Sequence, residues 1–300
     1  MLQRSFLFLL LGLVASGSVF GQSSPKLIRK SFQSQATDKE RDYFVLLPSN
    51  YDPTQSYPVI FFLHGGGERG DGKYDLDYVL IHGPLYEAWI RHRELPFIMV
   101  APQLPYFGRE ADYADRSPDL IPERVLGRVP EYPDDYRADR RLSGHSEQAE
   151  LPTGIVDLPD GWSRCVEDLN QMLAQVKQGY AVDEERVYLT GISYGGFGTW
   201  QWAHHNPELF AAIAPVVGWG HPSLMEPIAE AELPVWQFIG GRDNVVEEEL
   251  FYPGLNKLEE LGHPDVRVTV HGDMGHLAWL RVYGGQDLYD WFLSHTRNNR

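Results

Sequence analysis

A single cysteine, Cys165, in 300 residues excludes an intramolecular disulfide and a cysteine-rich zinc site. Basic residues are scarce as well: 26 Lys and Arg face 42 Asp and Glu, a formal net charge of −16. Such an acidic chain repels phosphate backbones and anionic lipid, so no nucleic-acid partner is expected. Eleven histidines are scattered without an H-E-x-x-H pattern, and no GxxxxGK[ST] phosphate loop appears. No Rossmann fingerprint accompanies a first strand either. Neither a metal nor an organic cofactor is therefore expected. Beyond the N-terminus no run is long and apolar enough to span a bilayer, which argues against stable membrane insertion.

What the chain does contain begins with Met1–Gly21. Arg4 is a positive start, Phe6–Val14 is a short apolar stretch, and Val19-Phe20-Gly21 suits a cleavage site. The expectation is a signal peptide over 1–21, export to the periplasm or medium, and one domain over 22–300. The aromatics (14 Phe, 16 Tyr and 8 Trp) suffice for a large core. Strands are read at Asp42–Leu47, Tyr57–Leu63, Pro96–Ala101, Arg186–Thr190, Phe210–Val217, Pro234–Ile239 and Asp265–Val270. Helices are read at Ser163–Gln178, Phe197–His205, Glu247–Leu261 and Gln286–His295. Strands alternating with helices imply a mostly parallel, doubly wound α/β sheet with helices on both faces. The Asp42 and Tyr57 strands read as an antiparallel hairpin at one edge.

Tyr106–Asp160 breaks this rhythm. It holds six prolines and twenty charged residues, thirteen of them acidic, and no lysine. It reads as an insertion over the carboxyl edge of the sheet, a lid or a solvated excursion.

The chemistry concentrates in Gly191-Ile192-Ser193-Tyr194-Gly195, a G-x-S-x-G run directly after one strand and before a helix. A sharp strand-to-helix turn needs glycines beside its nucleophile, and it aims helix N–H groups at the reacting centre. Ser146, in Gly144-His145-Ser146, lacks the second glycine and a flanking strand, and reads as a decoy. His64-Gly65-Gly66-Gly67 closes the buried Tyr57–Leu63 run. Its glycines let backbone N–H groups approach a developing oxyanion. Gly66 and Tyr194 form the expected donor pair, with Gly65 as a third, while His64 reads as structural.

A neutral serine needs a base, and in this architecture the order is serine, acid, histidine. Asp243 follows one late strand and His276 the next, so both sit at the carboxyl edge with Ser193. Rival residues read otherwise. Asp273 lies beyond the wrong strand for the acid, His271 is at a strand end, His204 and His205 lie on a helix face, and Glu247–Glu249 suit a helix start.

These motifs resemble the α/β-hydrolase superfamily. They resemble more narrowly its secreted bacterial esterase and peptidase-like group, related to polyhydroxybutyrate depolymerases and feruloyl esterases. The matching stretches are FFLHGGGERGDG, RVYLTGISYGGFGTWQWAHHNPELFAAIAPVVG, PVWQFIGGRDNVV and GHLAWLRVYGGQDLYDWFLS. The resemblance implies an α/β-hydrolase fold with Ser193 as nucleophile, Asp243 as acid and His276 as base. A cofactor-free serine esterase acting on a small-molecule or polymer-linked ester is the leading expectation, with Trp162, Trp219 and Trp279 as an aromatic wall for a phenolic or sugar-linked ester. The alternatives are a compact peptidase of the prolyl-oligopeptidase kind, for which no room remains for a propeller, and a binding module with a dead site.

Overall fold

The apolar run Tyr57–Leu63 shows how the molecule is layered. Side chains alternate across a strand, so Val59, Phe61 and Leu63 enter one core and Ile60 and Phe62 the other. A strand buried on both faces needs helices on both faces. The computed structural model describes residues 24–115, 137–141 and 158–299 and contains both layers.

The strands are β1 (Lys26–Ser34), β2 (Lys39–Leu47), β3 (Tyr57–Leu63), β4 (Ile98–Ala101), β5 (Arg137–Arg141), β6 (Val182–Ile192), β7 (Ala212–Val216), β8 (Val235–Gly240) and β9 (Val266–His271). They form one sheet in the order β1-β2-β4-β3-β6-β7-β8-β9-β5. Strands β3, β4 and β6 to β9 run parallel, while β1, β2 and β5 pair antiparallel with their neighbours. The sheet is therefore the mostly parallel α/β sheet that alternation implied.

Helices α1 (Val166–Gly179), α2 (Tyr194–His205), α3 (Met225–Glu230) and α4 (Tyr252–Glu260) cover one face. In α1 the spacing Leu169, Leu173, Val176 presents one apolar stripe to the sheet. The turns over 76–90, with α5 (Trp279–Gly284) and α6 (Asp287–Leu293), cover the other. Trp162, Trp200, Trp202 and Trp236 are all buried. Each large apolar side chain removed from water contributes about 1.5–3 kcal/mol, so the core can hold the domain without a disulfide.

One expectation needs correction, and two strands lie where none was read. The edge hairpin is β1–β2, with Lys26 opposite Leu47 and Ser34 opposite Lys39. Strand β4 separates β2 from β3, so the Asp42 and Tyr57 strands are not partners. Strand β1 escapes a hydrophobicity reading because it is an edge strand, with Lys26, Arg29 and Lys30 among its residues. Within Tyr106–Asp160, Arg137–Arg141 extends the sheet as β5 against β9, although it carries no apolar alternation. Backbone pairing on an open edge requires none. The expected signal peptide and Ser146 lie outside the described residues. Among the described residues no helix is long and apolar enough to cross a membrane.

Candidate active site

Ser193 sits between the end of β6 and the start of α2 with φ 51° and ψ −114°. A left-handed φ on a residue with a Cβ is sparsely populated and costs about 1–3 kcal/mol. The turn is held by Ser193 N–H donating to the Val216 carbonyl at 2.9 Å. It also requires Gly195, because a Cβ there would lie 1.8 Å from the Leu63 carbonyl oxygen. The elbow is thus pressed directly against the end of β3.

The end of β3 carries the glycine loop. His64 is buried, and its Nε2 accepts the Leu104 N–H at 2.8 Å. Its Nδ1 therefore carries the proton and donates to the Gly65 carbonyl at 2.6 Å. Trp162 Nε1 donates to the His64 carbonyl at 3.2 Å. These contacts give His64 a structural place under the loop. Gly66 and Tyr194 each open a helical turn, so their N–H groups have no intrahelical acceptor. Gly66 lies against the Tyr194 ring, where a Cβ would meet Cδ2 at 3.0 Å.

Asp243 and His276 follow β8 and β9. Their loops are joined by the Gly241 N–H to the His271 carbonyl at 3.0 Å and by the Arg242 N–H to the Met274 carbonyl at 2.9 Å. His276 Nδ1 is 2.7 Å from Asp243 Oδ2, and His276 Nε2 is 3.0 Å from Ser193 Oγ. Asp243 Oδ1 accepts the N–H groups of Val245 and Val246 at 2.8 and 3.0 Å. Burial opposes ionisation of Asp243, but the His276 hydrogen bond and those two amides outweigh it and hold its carboxyl below the ordinary range. The geometry is that of a hydroxyl, an imidazole and an ionised carboxylate in line.

Other residues named from the sequence lie elsewhere. His271 is buried and stacks on Phe238. His204 Nδ1 faces the Leu224 carbonyl at 3.1 Å, and its ring packs against His205. Of the three tryptophans, Trp279 touches the site, with its ring 5.2 Å from that of His276. Trp162 and Trp219 pack against His64 and Phe197 and are buried. Among the described residues no group of three or more His, Cys, Asp or Glu is placed to hold a metal ion.

Several neighbours of the site escaped sequence reasoning. Arg69 is buried with its guanidinium 4.7 Å from the Tyr194 ring centroid, and it donates to the Pro105 carbonyl at 3.1 Å. The Tyr113 hydroxyl donates to the Gly66 carbonyl at 2.7 Å, so the start of the Tyr106–Asp160 segment reaches the glycine loop. The charged pair Glu68-Arg69, directly after glycines at a buried strand end, was the available signal.

Asp273 has a different task from that of an acid. It accepts two hydrogen bonds from Arg281, at 2.6 and 2.7 Å, and Arg281 is 2% exposed. The pair ties the loop before His276 to α5. Hydrogen bonding from Arg281 holds the Asp273 carboxyl below its ordinary range, against a smaller opposing effect of burial. Asp273→Asn is expected to cost about 1–3 kcal/mol in urea unfolding, because it takes the carboxylate of a two-point ion pair away from a buried guanidinium while Asp273 itself still touches water. The native increment should be full above an unfolded carboxylate value of about 3.9 and fade as pH falls through the lower folded value. Equal stabilities of the two proteins at pH 7 would refute this.

Two family models match the chain: "Prolyl oligopeptidase family" over residues 162–263 and "Putative esterase" over residues 34–152. A protein of Escherichia coli (strain K12) described as "Putative carboxymethylenebutenolidase" is 25% identical over 237 residues, covering 68% of this chain and 83% of the relative. A thermostable esterase of known structure is 26% identical with a TM-score of 0.61, over 90% of this chain. This chain spans 63% of that esterase's length. The feruloyl esterase module from Clostridium thermocellum is 14% identical with a TM-score of 0.54, over 87% of this chain and 86% of the module, a likeness of fold alone.

Proposed function

Since this chain is an α/β-hydrolase of the esterase group, we propose that it hydrolyses carboxylic esters through Ser193, His276 and Asp243. The observation that carries the reading is the pair of contacts made by one imidazole, 3.0 Å to Ser193 Oγ and 2.7 Å to Asp243 Oδ2. Ser193 Oγ attacks the ester carbonyl while its proton passes to His276 Nε2. The carbonyl oxygen gains charge and is met by the Gly66 and Tyr194 N–H groups, with Gly65 beside them. His276 returns the proton to the departing alcohol, which leaves an acyl group on Ser193. A water molecule, deprotonated by the same imidazole, then releases the acid and restores the hydroxyl. Asp243 fixes the Nδ1–H tautomer of His276 and stabilises the imidazolium formed in each half.

Asp243→Asn is expected to lower kcat by about 10⁴-fold with little change in KM. An amide in place of the carboxylate permits the wrong imidazole tautomer and removes the counter-charge. Steady-state turnover of 4-nitrophenyl acetate checks this, and a loss below tenfold would remove Asp243 from the scheme.

The prolyl oligopeptidase match over 162–263 favours a second reading, hydrolysis of peptide amides by the same residues. Ester and amide substrates with one acyl group separate the two. The ester reading expects much higher kcat/KM for the ester at equal leaving-group acidity.

A further inference from the structure

We propose that the crevice selects uncharged, apolar alcohols, and that Val245 and Leu277 make the selection. This rests on the ester-hydrolase reading above. A base that takes the Ser193 proton must deliver it to the departing oxygen. That oxygen therefore passes about 3 Å from His276 Nε2. The carbonyl oxygen points the other way, to the Gly66 and Tyr194 amides. The alcohol portion of the substrate thus lies on the His276 side of the crevice.

Leu277 follows His276 directly, and Val245 stands two residues beyond Asp243. The Val245 N–H is bound to Oδ1 of the carboxylate whose Oδ2 holds His276. The Val245 backbone is thus tied to the acid, and Leu277 is the chain neighbour of the base. Leu277 is 53% exposed and Val245 is 66% exposed. Among the described residues only two other large apolar side chains, Tyr74 and Leu261, are comparably open to solvent. Val245 and Leu277 each stand within two residues of the acid or the base, so an apolar substituent on the departing oxygen would have these two exposed apolar side chains to cover.

The charge around them sets the other half of the preference. From 240 to 250 the sole cation is Arg242, against Asp243 and Glu247–Glu249. Glu247 and Glu249 are exposed just beyond Val245. With a net charge of −16 on the chain, the local field disfavours an anionic alcohol.

The test compares kcat/KM for acetate esters of one acyl group and varied alcohol: benzyl, n-hexyl, 2-methoxyethyl and the anionic acetoxyacetate. Benzyl and hexyl acetate are expected to exceed 2-methoxyethyl acetate by about tenfold or more, with acetoxyacetate slowest. In Leu277→Asn and Val245→Asn the benzyl to methoxyethyl ratio should fall several-fold. The acetyl to butanoyl ratio at fixed benzyl alcohol should keep its native value. Ratios within each variant cancel any loss of folded protein. A native preference for the polar or anionic alcohol, an unchanged benzyl to methoxyethyl ratio in both variants, or a shift confined to the acyl ratio would each overturn the assignment. Ser193→Ala in the same assay separates the two levels, since one per cent or more of native turnover surviving there overturns the Ser193 ester-hydrolase reading itself.

Discussion

Ser193→Ala is expected to lower kcat for 4-nitrophenyl acetate by about 10⁴- to 10⁶-fold, with KM little changed and the thermal midpoint nearly native. The size follows from the role. Without Oγ no acyl-enzyme forms, and the residual rate is what water achieves beside donors that still polarise the carbonyl. The fold should tolerate the change, because alanine keeps the Cβ that already occupies the strained turn at φ 51° and the lost hydroxyl bonds only to His276 Nε2. Labelling by a fluorophosphonate, a reagent that needs the same oxygen, should vanish in parallel. A variant that keeps one per cent of native turnover would place the nucleophile elsewhere. His276→Ala should fall to a similar floor, and combining the two should cost little more, since residues acting as one unit are not additive. Summed losses in the double variant would mean that the two side chains act independently.

Much of the candidate site was legible because it needs particular residue types at the ends of strands. The glycines of Gly191-Ile192-Ser193-Tyr194-Gly195 are forced by backbone atoms a few ångströms away. Asp243 and His276 each follow a strand of the same parallel sheet, so their meeting at one edge follows from topology once the strands are read. The burial of Tyr57–Leu63 on both faces was equally plain. What stayed hidden depends on partners far apart in the chain. The insertion of β4 between β2 and β3 is a crossover, which hydrophobic periodicity does not encode. Strands β1 and β5 are edge strands, whose charged residues conceal them. Arg69 over Tyr194, and Tyr113 on the Gly66 carbonyl, are contacts across 125 and 47 residues. A charged pair after the glycines marks Arg69 as unusual, but residue type does not name its partner. Asp273 was recognised as a poor candidate for the acid, but its bidentate tie to Arg281 emerges only in space.

Gly195→Ala is expected to be the most damaging glycine-to-alanine change among the described residues, costing more than about 3 kcal/mol and lowering the thermal midpoint by roughly 10 °C. Gly195 is a helical position of α2, so alanine would be welcome there on propensity alone. Space decides otherwise. Its Cβ would lie 1.8 Å from the Leu63 carbonyl oxygen, 2.4 Å from the Leu63 carbonyl carbon and 2.8 Å from the His64 carbonyl oxygen. All three are backbone atoms at the end of β3, which is hydrogen-bonded to β4 and β6 on its two sides. No rotamer can relieve the clash, so the elbow and the strand end must separate by more than 1 Å. That separation carries Gly65 and Gly66 away from Ser193. Turnover per folded molecule should therefore fall as well, by about 10²-fold, the scale of losing one oxyanion donor. Gly67→Ala is the control within the same glycine-rich set, since a Cβ there meets nothing within 4 Å and the change should stay within about 0.5 kcal/mol. Urea unfolding of the two variants, with activity normalised to folded protein, reads both effects. A Gly195→Ala protein within 1 kcal/mol of native would mean that the nucleophile turn is not wedged against β3, and the donor placement assigned to Gly66 and Tyr194 would fall with it.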